Sequence, residues 1–262
     1  MIVAGIDIGS LSAKSVILNE HNLFSWEVIP TIPDSVESAY NVMEKTLEKE
    51  KLTLKDLDCV VATGYGRVNV PFANATRTEI SCHARGTQWF FPNVRTILDM
   101  GGQDCKVIKC DQNGRIKDFV MNDKCAAGTG RYLERIAKIL SVSLPDIGNK
   151  SFQIVEQPAV IRSFCAVFAE NDVILLARKG VHINDILAGA CEAITRRIFN
   201  LIDKIGFEEP FSISGGIAKN IGIVRRLERD LRTLANVSFE PQIIGALGAA
   251  CFAKDRIEQV ER

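Results

Sequence analysis

The chain has no excess charge of either sign: Lys and Arg total 32 and Asp and Glu total 32 among 262 residues. Without a basic surplus to displace counterions from a phosphate backbone, nucleic acid is not expected as a partner. No run approaches the roughly 18 uncharged apolar residues that a membrane-spanning helix needs, so no membrane association is expected. The apolar start from Met1 to Ile8 is broken by Asp7 and has neither the basic flank nor the small-residue cleavage site of a leader. The expected location is therefore the cytoplasm. No two cysteines form C-x-x-C, so no short metal motif stands out. Nor is there a G-x-x-x-x-G-K-[ST] segment, which excludes a P-loop protein.

What is present is the balance of a soluble globular protein, 47% apolar and 24% charged, at a length that suits one large domain or two ordinary ones. There are eight cysteines, at 59, 82, 105, 110, 125, 165, 191 and 251. In a cytosolic chain they are expected to be thiols or metal ligands rather than disulfides.

Strand patterns open the chain at Ile2–Ile8, Lys14–Leu18 and Leu23–Ile29. A helix is expected from Pro33-Asp34-Ser35 to about Glu50, a strand at Cys59–Thr63 ending in Gly64-Tyr65-Gly66, and a helix from about Thr78 to Phe91. The pattern then restarts. Thr96–Met100 runs into Gly101-Gly102, and Lys106–Cys110 and Ile116–Met121 form a hairpin around Asp111-Gln112-Asn113-Gly114. Helices follow at Arg131–Leu140, Ser163–Lys179 and Asn184–Ile205. A strand at Phe211–Ser214, a charged helix, a short strand near Val237 and a last helix from Ile244 complete the chain. Strands followed by helices, twice over, predict two α/β units. The expected division is 1–95 joined by the terminal helix 244–262, and 96–243.

The strongest internal signal is a repeat. Asp7-Ile8-Gly9-Ser10-Leu11-Ser12-Ala13-Lys14 aligns with Asp99-Met100-Gly101-Gly102-Gln103-Asp104-Cys105-Lys106. Each copy follows an apolar strand, with Asp at its end, Gly two residues on and Lys seven residues on. Gly and small residues let backbone N–H groups approach phosphate oxygens, and a neighbouring carboxylate can hold Mg²⁺ through its waters. Either copy alone could be an ordinary hairpin, with Asp104 and Lys106 a solvent-exposed pair. The matched copies favour phosphate binding.

These segments resemble a superfamily. Ile6-Asp7-Ile8-Gly9 and Leu98-Asp99-Met100-Gly101-Gly102 are similar to the two phosphate motifs of actin, Hsp70 and the sugar kinases. Ile213-Ser214-Gly215-Gly216-Ile217-Ala218 resembles their adenosine motif. Ala126-Ala127-Gly128-Thr129-Gly130 and Ile244-Gly245-Ala246-Leu247-Gly248-Ala249-Ala250 resemble the connecting helix segments, where small residues let helices cross. The resemblance implies an α/β fold of two ribonuclease-H-like domains with a nucleotide cleft between them.

Two further stretches, Asn122-Asp123-Lys124-Cys125-Ala126-Ala127-Gly128-Thr129-Gly130-Arg131 and Cys165-Ala166-Val167-Phe168-Ala169-Glu170, narrow the likeness. With Glu79-Ile80-Ser81-Cys82-His83-Ala84-Arg85-Gly86, they resemble the activators of 2-hydroxyacyl-CoA dehydratases and the ATPase subunits of benzoyl-CoA reductase. That resemblance implies a homodimer holding one [4Fe–4S] cluster, with Cys125 and Cys165 of each chain as ligands. A two-fold axis doubles two thiolates to the four the cluster wants, and both lie near expected helix starts, whose dipole favours thiolate. The other cysteines are expected to be buried apolar residues. Cys82 beside His83 stays open between a chemical and a packing role.

The resemblance also implies roles in ATP hydrolysis. Asp7 and Asp99 would position Mg²⁺. Gly9, Ser10, Leu11, Ser12, Ala13 and Lys14 would hold the β- and γ-phosphates, and Gly102 would lie by the γ-phosphate. Gln103 would orient the attacking water, with Asp104 as the alternative, a general base. Gly215, Gly216 and Ala218 would line the adenosine pocket, and Gln242 would reach the nucleotide. The activity implied is ATP-driven transfer of one low-potential electron from a ferredoxin or flavodoxin to a dehydratase or reductase partner. The alternatives are a small-molecule kinase of the same superfamily, for which the chain has little room, and a non-redox nucleotide sensor.

Overall fold

A computed structural model describes residues 1–20, 22–122, 129–161 and 166–260. The chain forms two compact units. The first comprises Met1–Val94, Cys110–Lys117 and Ser238–Arg262; the second comprises Arg95–Lys109 and Asp118–Val237.

The first unit is built on strands β1 (Ile2–Ile8), β2 (Ser12–Asn19), β3 (Asn22–Pro30), β4 (Cys59–Thr63) and β5 (Ala75–Thr76). They lie in the order β3-β2-β1-β4-β5, with β1 antiparallel to β2 and parallel to β4. Strand alternation sorts β1 onto two faces. Ala4, Ile6 and Ile8 join Val42 and Met43 of helix α1 (Ser35–Glu48) in one apolar cluster. Val3, with Val16 and Leu18 of β2, joins Ala246, Leu247 and Ala250 of the terminal helix α8 (Ile244–Val260) in another. Each fully buried Val, Leu, Ile or Met side chain among these contributes about 1.5–3 kcal/mol. The same alternation turns Asp7 toward α8. Asp34 caps α1 by accepting from the N–H groups of Val36 and Glu37 at 2.8 and 3.1 Å.

Helix α2 (Glu79–Phe90), capped by Thr78, crosses α8 closely. A Cβ on Gly248 would fall 1.8 Å from the Cys82 carbonyl oxygen, and one on Gly86 would fall 2.1 Å from that of Ile244. The small-residue run 244–250 therefore does serve a helix crossing, and α2 is its partner. The other expected crossing segment, from Ala126, lies for the most part outside the described residues.

The second unit repeats the sheet with β6 (Thr96–Met100), β7 (Cys105–Cys110), β8 (Ile116–Asn122), β9 (Phe211–Ser214) and β10 (Ala235–Asn236), in the order β10-β9-β6-β7-β8. Again the first strand is antiparallel to the second and parallel to the fourth. Helices α3 (Gly130–Ile139), α4 (Asp146–Lys150), α5 (Ala166–Arg178), α6 (Ile183–Asp203) and α7 (Ile221–Leu231) accompany this sheet. Its core joins Leu98, Met100 and Val107 to Tyr132, Leu187 and Ile213. The expected short strand near Val237 lies at Ala235–Asn236.

The turn joining β7 to β8 is grouped with the first unit, where Gln88 of α2 donates to the Gly114 carbonyl. Among the described residues, no helix is long and apolar enough to cross a membrane.

Candidate functional site

The sequence repeat folds into two hairpins of the same geometry. In the first unit Asp7 stands opposite Lys14 across the β1–β2 ladder; in the second Asp99 stands opposite Lys106 across β6–β7. Each turn is closed by one matching backbone bond, Gly9 N–H to the Ser12 carbonyl at 3.1 Å and Gly101 N–H to the Asp104 carbonyl at 3.0 Å. The first turn is braced by the end of β3. Thr31 donates its backbone N–H to the Leu11 carbonyl at 3.1 Å and its hydroxyl to the Gly9 carbonyl at 2.9 Å.

The duplication extends to the parallel neighbour. Asp7 lies in register with Thr63 and Asp99 with Ser214. Each of those residues is followed by a glycine with positive φ, Gly64 at 89° and Gly215 at 82°. A Cβ on Gly64 would lie 2.5 Å from Asp7 Oδ1, and one on Gly215 would lie 2.9 Å from Asp99 Oδ1. Only a residue without a side chain fits between strand and carboxylate here. Thr63-Gly64 is thus the structural counterpart of the first residues of the adenosine motif. Sequence reasoning assigned Thr63 and Gly64 no role, although both segments read as an apolar strand ending in a hydroxyl residue and glycine.

The charges within each hairpin are paired. Lys14 Nζ lies 3.0 Å from Asp7 Oδ2. Asp7 is 3% exposed, and its Oδ1 has no hydrogen-bond partner among the described residues. A buried carboxylate oxygen left in this way costs free energy unless a cation or water meets it, so the residue fits a Mg²⁺-positioning role. Lys106 Nζ sits between two carboxylates, 2.6 Å from Asp104 Oδ2 and 3.5 Å from Asp99 Oδ2. Asp99 also accepts from the Ser214 hydroxyl at 3.3 Å. Lys106 and Asp104 are both buried, so they are not a solvent-exposed pair. By the alternation of β7 they lie on the face opposite Cys105 and Val107, which join the apolar core. Gln103, between them and Gly102 on the turn, is exposed. Ser10, Leu11 and Ser12 are half-buried on the first turn, followed by buried Ala13.

The second turn is tied to α3. Gly130 N–H donates to the Gly101 carbonyl at 3.0 Å and Arg131 N–H to the Gly102 carbonyl at 2.9 Å. Two otherwise unsatisfied amides at the helix start thereby take the turn's carbonyls as partners. After β9, Gly216 is exposed and Ala218 buried, and a cavity of about 410 Å³ opens beside Ala218, lined also by Lys219, Ile221, Val224, Arg225 and Leu234. Gln242 lies in the first unit, in the turn Pro241–Ile243 that leads into α8, and its N–H is capped by Glu240 at 3.1 Å.

Cys125 and Cys165 lie outside the described residues. The six described cysteines are thiols rather than disulfides, each buried. Burial pushes the Cys82 thiol up to about 12 and the Cys191 and Cys251 thiols up to about 11. Among the described residues no three His, Cys, Asp or Glu gather where they could hold a metal. Thiols held protonated and apart are poor cluster ligands.

A family profile matches residues 4–253. The chain belongs to the BadF/BadG/BcrA/BcrD ATPase family. The 2-hydroxyisocaproyl-CoA dehydratase activator of Clostridioides difficile is 41% identical over 263 residues, covering 100% of this chain and 98% of that protein. A solved structure of the activator of the 2-hydroxyisocaproyl-CoA dehydratase from Clostridium difficile, with bound ADPNP, superposes with a TM-score of 0.95 over 100% of this chain and 97% of that one, at 41% identity. A subunit of the benzoyl-CoA reductase of Thauera aromatica is 31% identical over 275 residues, covering 100% of this chain and 96% of the relative. Family membership makes the chain an ATPase. Its two duplicated α/β sheets give it the two-domain ATPase fold of actin, Hsp70 and the sugar kinases.

Proposed function

We propose that the chain is an ATP-dependent reductive activator, coupling hydrolysis to the delivery of one low-potential electron to a 2-hydroxyacyl-CoA dehydratase-type or benzoyl-CoA reductase-type partner. The observation that carries the ATPase half is the duplicated hairpin, in which a carboxylate, a lysine and a positive-φ glycine recur in the same register. The names of the relatives support the partner class.

In this reading the hairpin residues contact ATP. Backbone N–H groups of 9–13, with Ser10, Ser12 and Lys14, hold the β- and γ-phosphates; Gly102 lies against the γ-phosphate. Asp7 and Asp99 position Mg²⁺, which when bound neutralises phosphate charge. The adenosine lies along Gly215, Gly216 and Ala218, by the cavity of the second unit, and Gln242 reaches the nucleotide.

Gln103 is the group that orients the attacking water, because its amide is exposed on the turn and can both accept from water and donate to phosphate. Asp104 Oδ2 is already engaged by Lys106 Nζ at 2.6 Å, so that oxygen is not open to a water.

Cys125 and Cys165 hold the shared [4Fe–4S] cluster of a homodimer, which when bound supplies the electron. The state of the six other thiols supports that choice. A ferredoxin or flavodoxin is the donor. The two bonds from α3 to Gly101 and Gly102 couple the γ-phosphate turn to the chain just beyond Cys125.

The test of the hydrolytic assignment is Gln103→Ala. ATP binding should persist while turnover falls by about 10²-fold or more; unchanged turnover removes Gln103 from the mechanism.

A further inference from the structure

His83 has no part in the site described above, yet its position is unusual for a packing residue. It lies on the buried face of α2, with Cys82, Ala84, Gly86 and Thr87, and is 6% exposed. Its Nε2 points at Gly245, the second residue of α8. A Cβ at Gly245 would lie 2.9 Å from His83 Nε2 and 3.0 Å from Asp7 Oδ2. The imidazole and the carboxylate therefore converge on one face of a single α-carbon, all within the first unit. Any side chain at 245 would be driven between them.

We propose that His83 is a positioning residue for Asp7: its Nε2, directly or through one water held against Gly245, fixes Asp7 Oδ2 so that Oδ1 faces the Mg²⁺–nucleotide. The inference rests on the ATP site proposed above and adds to it a residue that acts through Asp7.

A carboxylate that places a metal through waters gains little from being present and much from being oriented. Asp7 Oδ2 has Lys14 on one side at 3.0 Å, and a single long, flexible lysine fixes distance better than torsion. A second, rigid group approaching from α2 removes the remaining rotation. Gly64 then closes the side of Oδ1, where a Cβ would come within 2.5 Å. Lysine and imidazole thus flank Oδ2, while Gly64 packs against Oδ1, which has no hydrogen-bond partner among the described residues. Because α2 and α8 cross at Gly86 and Gly248, the imidazole is held by the same crossing that places Gly245.

Two near-isosteric variants test the role. His83→Gln carries an amide nitrogen to the position of Nε2; His83→Asn carries one only to the position of Nδ1. Both keep a polar group of similar bulk in the same pocket. Binding of a fluorescent ADP analogue is titrated against Mg²⁺, and separately in EDTA, with thermal melts as the control for folding. His83→Asn should raise the Mg²⁺ concentration for half-maximal nucleotide binding by about 10-fold or more, with binding in EDTA unchanged. His83→Gln should restore most of the wild-type Mg²⁺ response. Equal Mg²⁺ responses of Asn, Gln and wild type overturn the proposal and leave His83 a packing residue, whatever the melts show. If the wild type binds the analogue without any Mg²⁺ dependence, the Mg²⁺ reading of Asp7 fails as well, a result distinct from failure of His83 alone.

Discussion

Replacing Lys106 by Met should destabilise the second unit strongly, because one cation there serves two buried carboxylates. The Lys106 side chain is 2% exposed, those of Asp99 and Asp104 are 4% and 8%, and Nζ lies 3.5 and 2.6 Å from their oxygens. The intact triad carries one net negative charge; without the lysine it carries two in the same buried space. Removing one partner of a buried pair costs about 3–5 kcal/mol, against about 0–1 kcal/mol for an exposed pair. At about 2–4 °C per kcal/mol for a chain of this size, the melting temperature should fall by roughly 10 °C. The double variant Lys106→Met/Asp104→Asn should recover at least about half of the loss, since it relieves the like-charge repulsion that the single change creates. Lys14→Met, at a side chain 13% exposed and facing one carboxylate, should cost less. Urea and thermal unfolding followed by circular dichroism, without nucleotide and at two salt concentrations, measure all three. A loss within about 1 kcal/mol for Lys106→Met, or one abolished by salt, would show that water screens the triad and refute the reasoning.

Gly64→Ala should cost about 1–3 kcal/mol from the positive φ alone, and nucleotide affinity should drop with it because the methyl meets Asp7 Oδ1; Gly180→Ala, at φ 78° with nothing within 4 Å of the added methyl, is the control for strain without a site. Gly248→Ala should lower the melting temperature by several degrees, since its methyl meets the Cys82 carbonyl and the two helices must part. Stability should also fall at high pH. The Cys82, Cys191 and Cys251 thiols are pushed by burial from 9.0 to about 12, 11 and 11, so between pH 9 and those values the unfolded chain loses protons that the folded chain keeps. Unfolding free energy measured from pH 8 to 11 should therefore decline; a flat profile would show that these thiols are not buried as described.

Much of the fold is legible in the sequence because its signals are local. Apolar runs ending in Asp-x-Gly mark β1 and β6, and Asp34 and Thr78 mark helix starts by side-chain chemistry alone. The hairpins are readable for the same reason, since Asp7 and Lys14, or Asp99 and Lys106, are few enough residues apart to be paired by one turn. Long-range relations are not readable. That Gly64 stands to Asp7 as Gly215 stands to Asp99 depends on parallel pairing of β1 with β4 and of β6 with β9, across intervals no spacing rule covers. The partner of α8 is likewise hidden, because small residues such as Gly86 and Gly248 announce a close approach without naming what approaches. Asp104 illustrates a third limit. Its residue type fits a general base, and only the three-dimensional neighbourhood reveals Lys106 already bound to it.

The central claim is that ATP hydrolysis here serves a cluster shared by two copies of the chain. Iron and acid-labile sulfide determined on anaerobically purified protein, together with its mass in solution, test that claim most directly. The account predicts a dimer with about four irons and four sulfides, lost in Cys125→Ser and in Cys165→Ser while ATP binding survives. A monomer, iron-free protein from strictly anaerobic preparation, or full iron in both variants would contradict it.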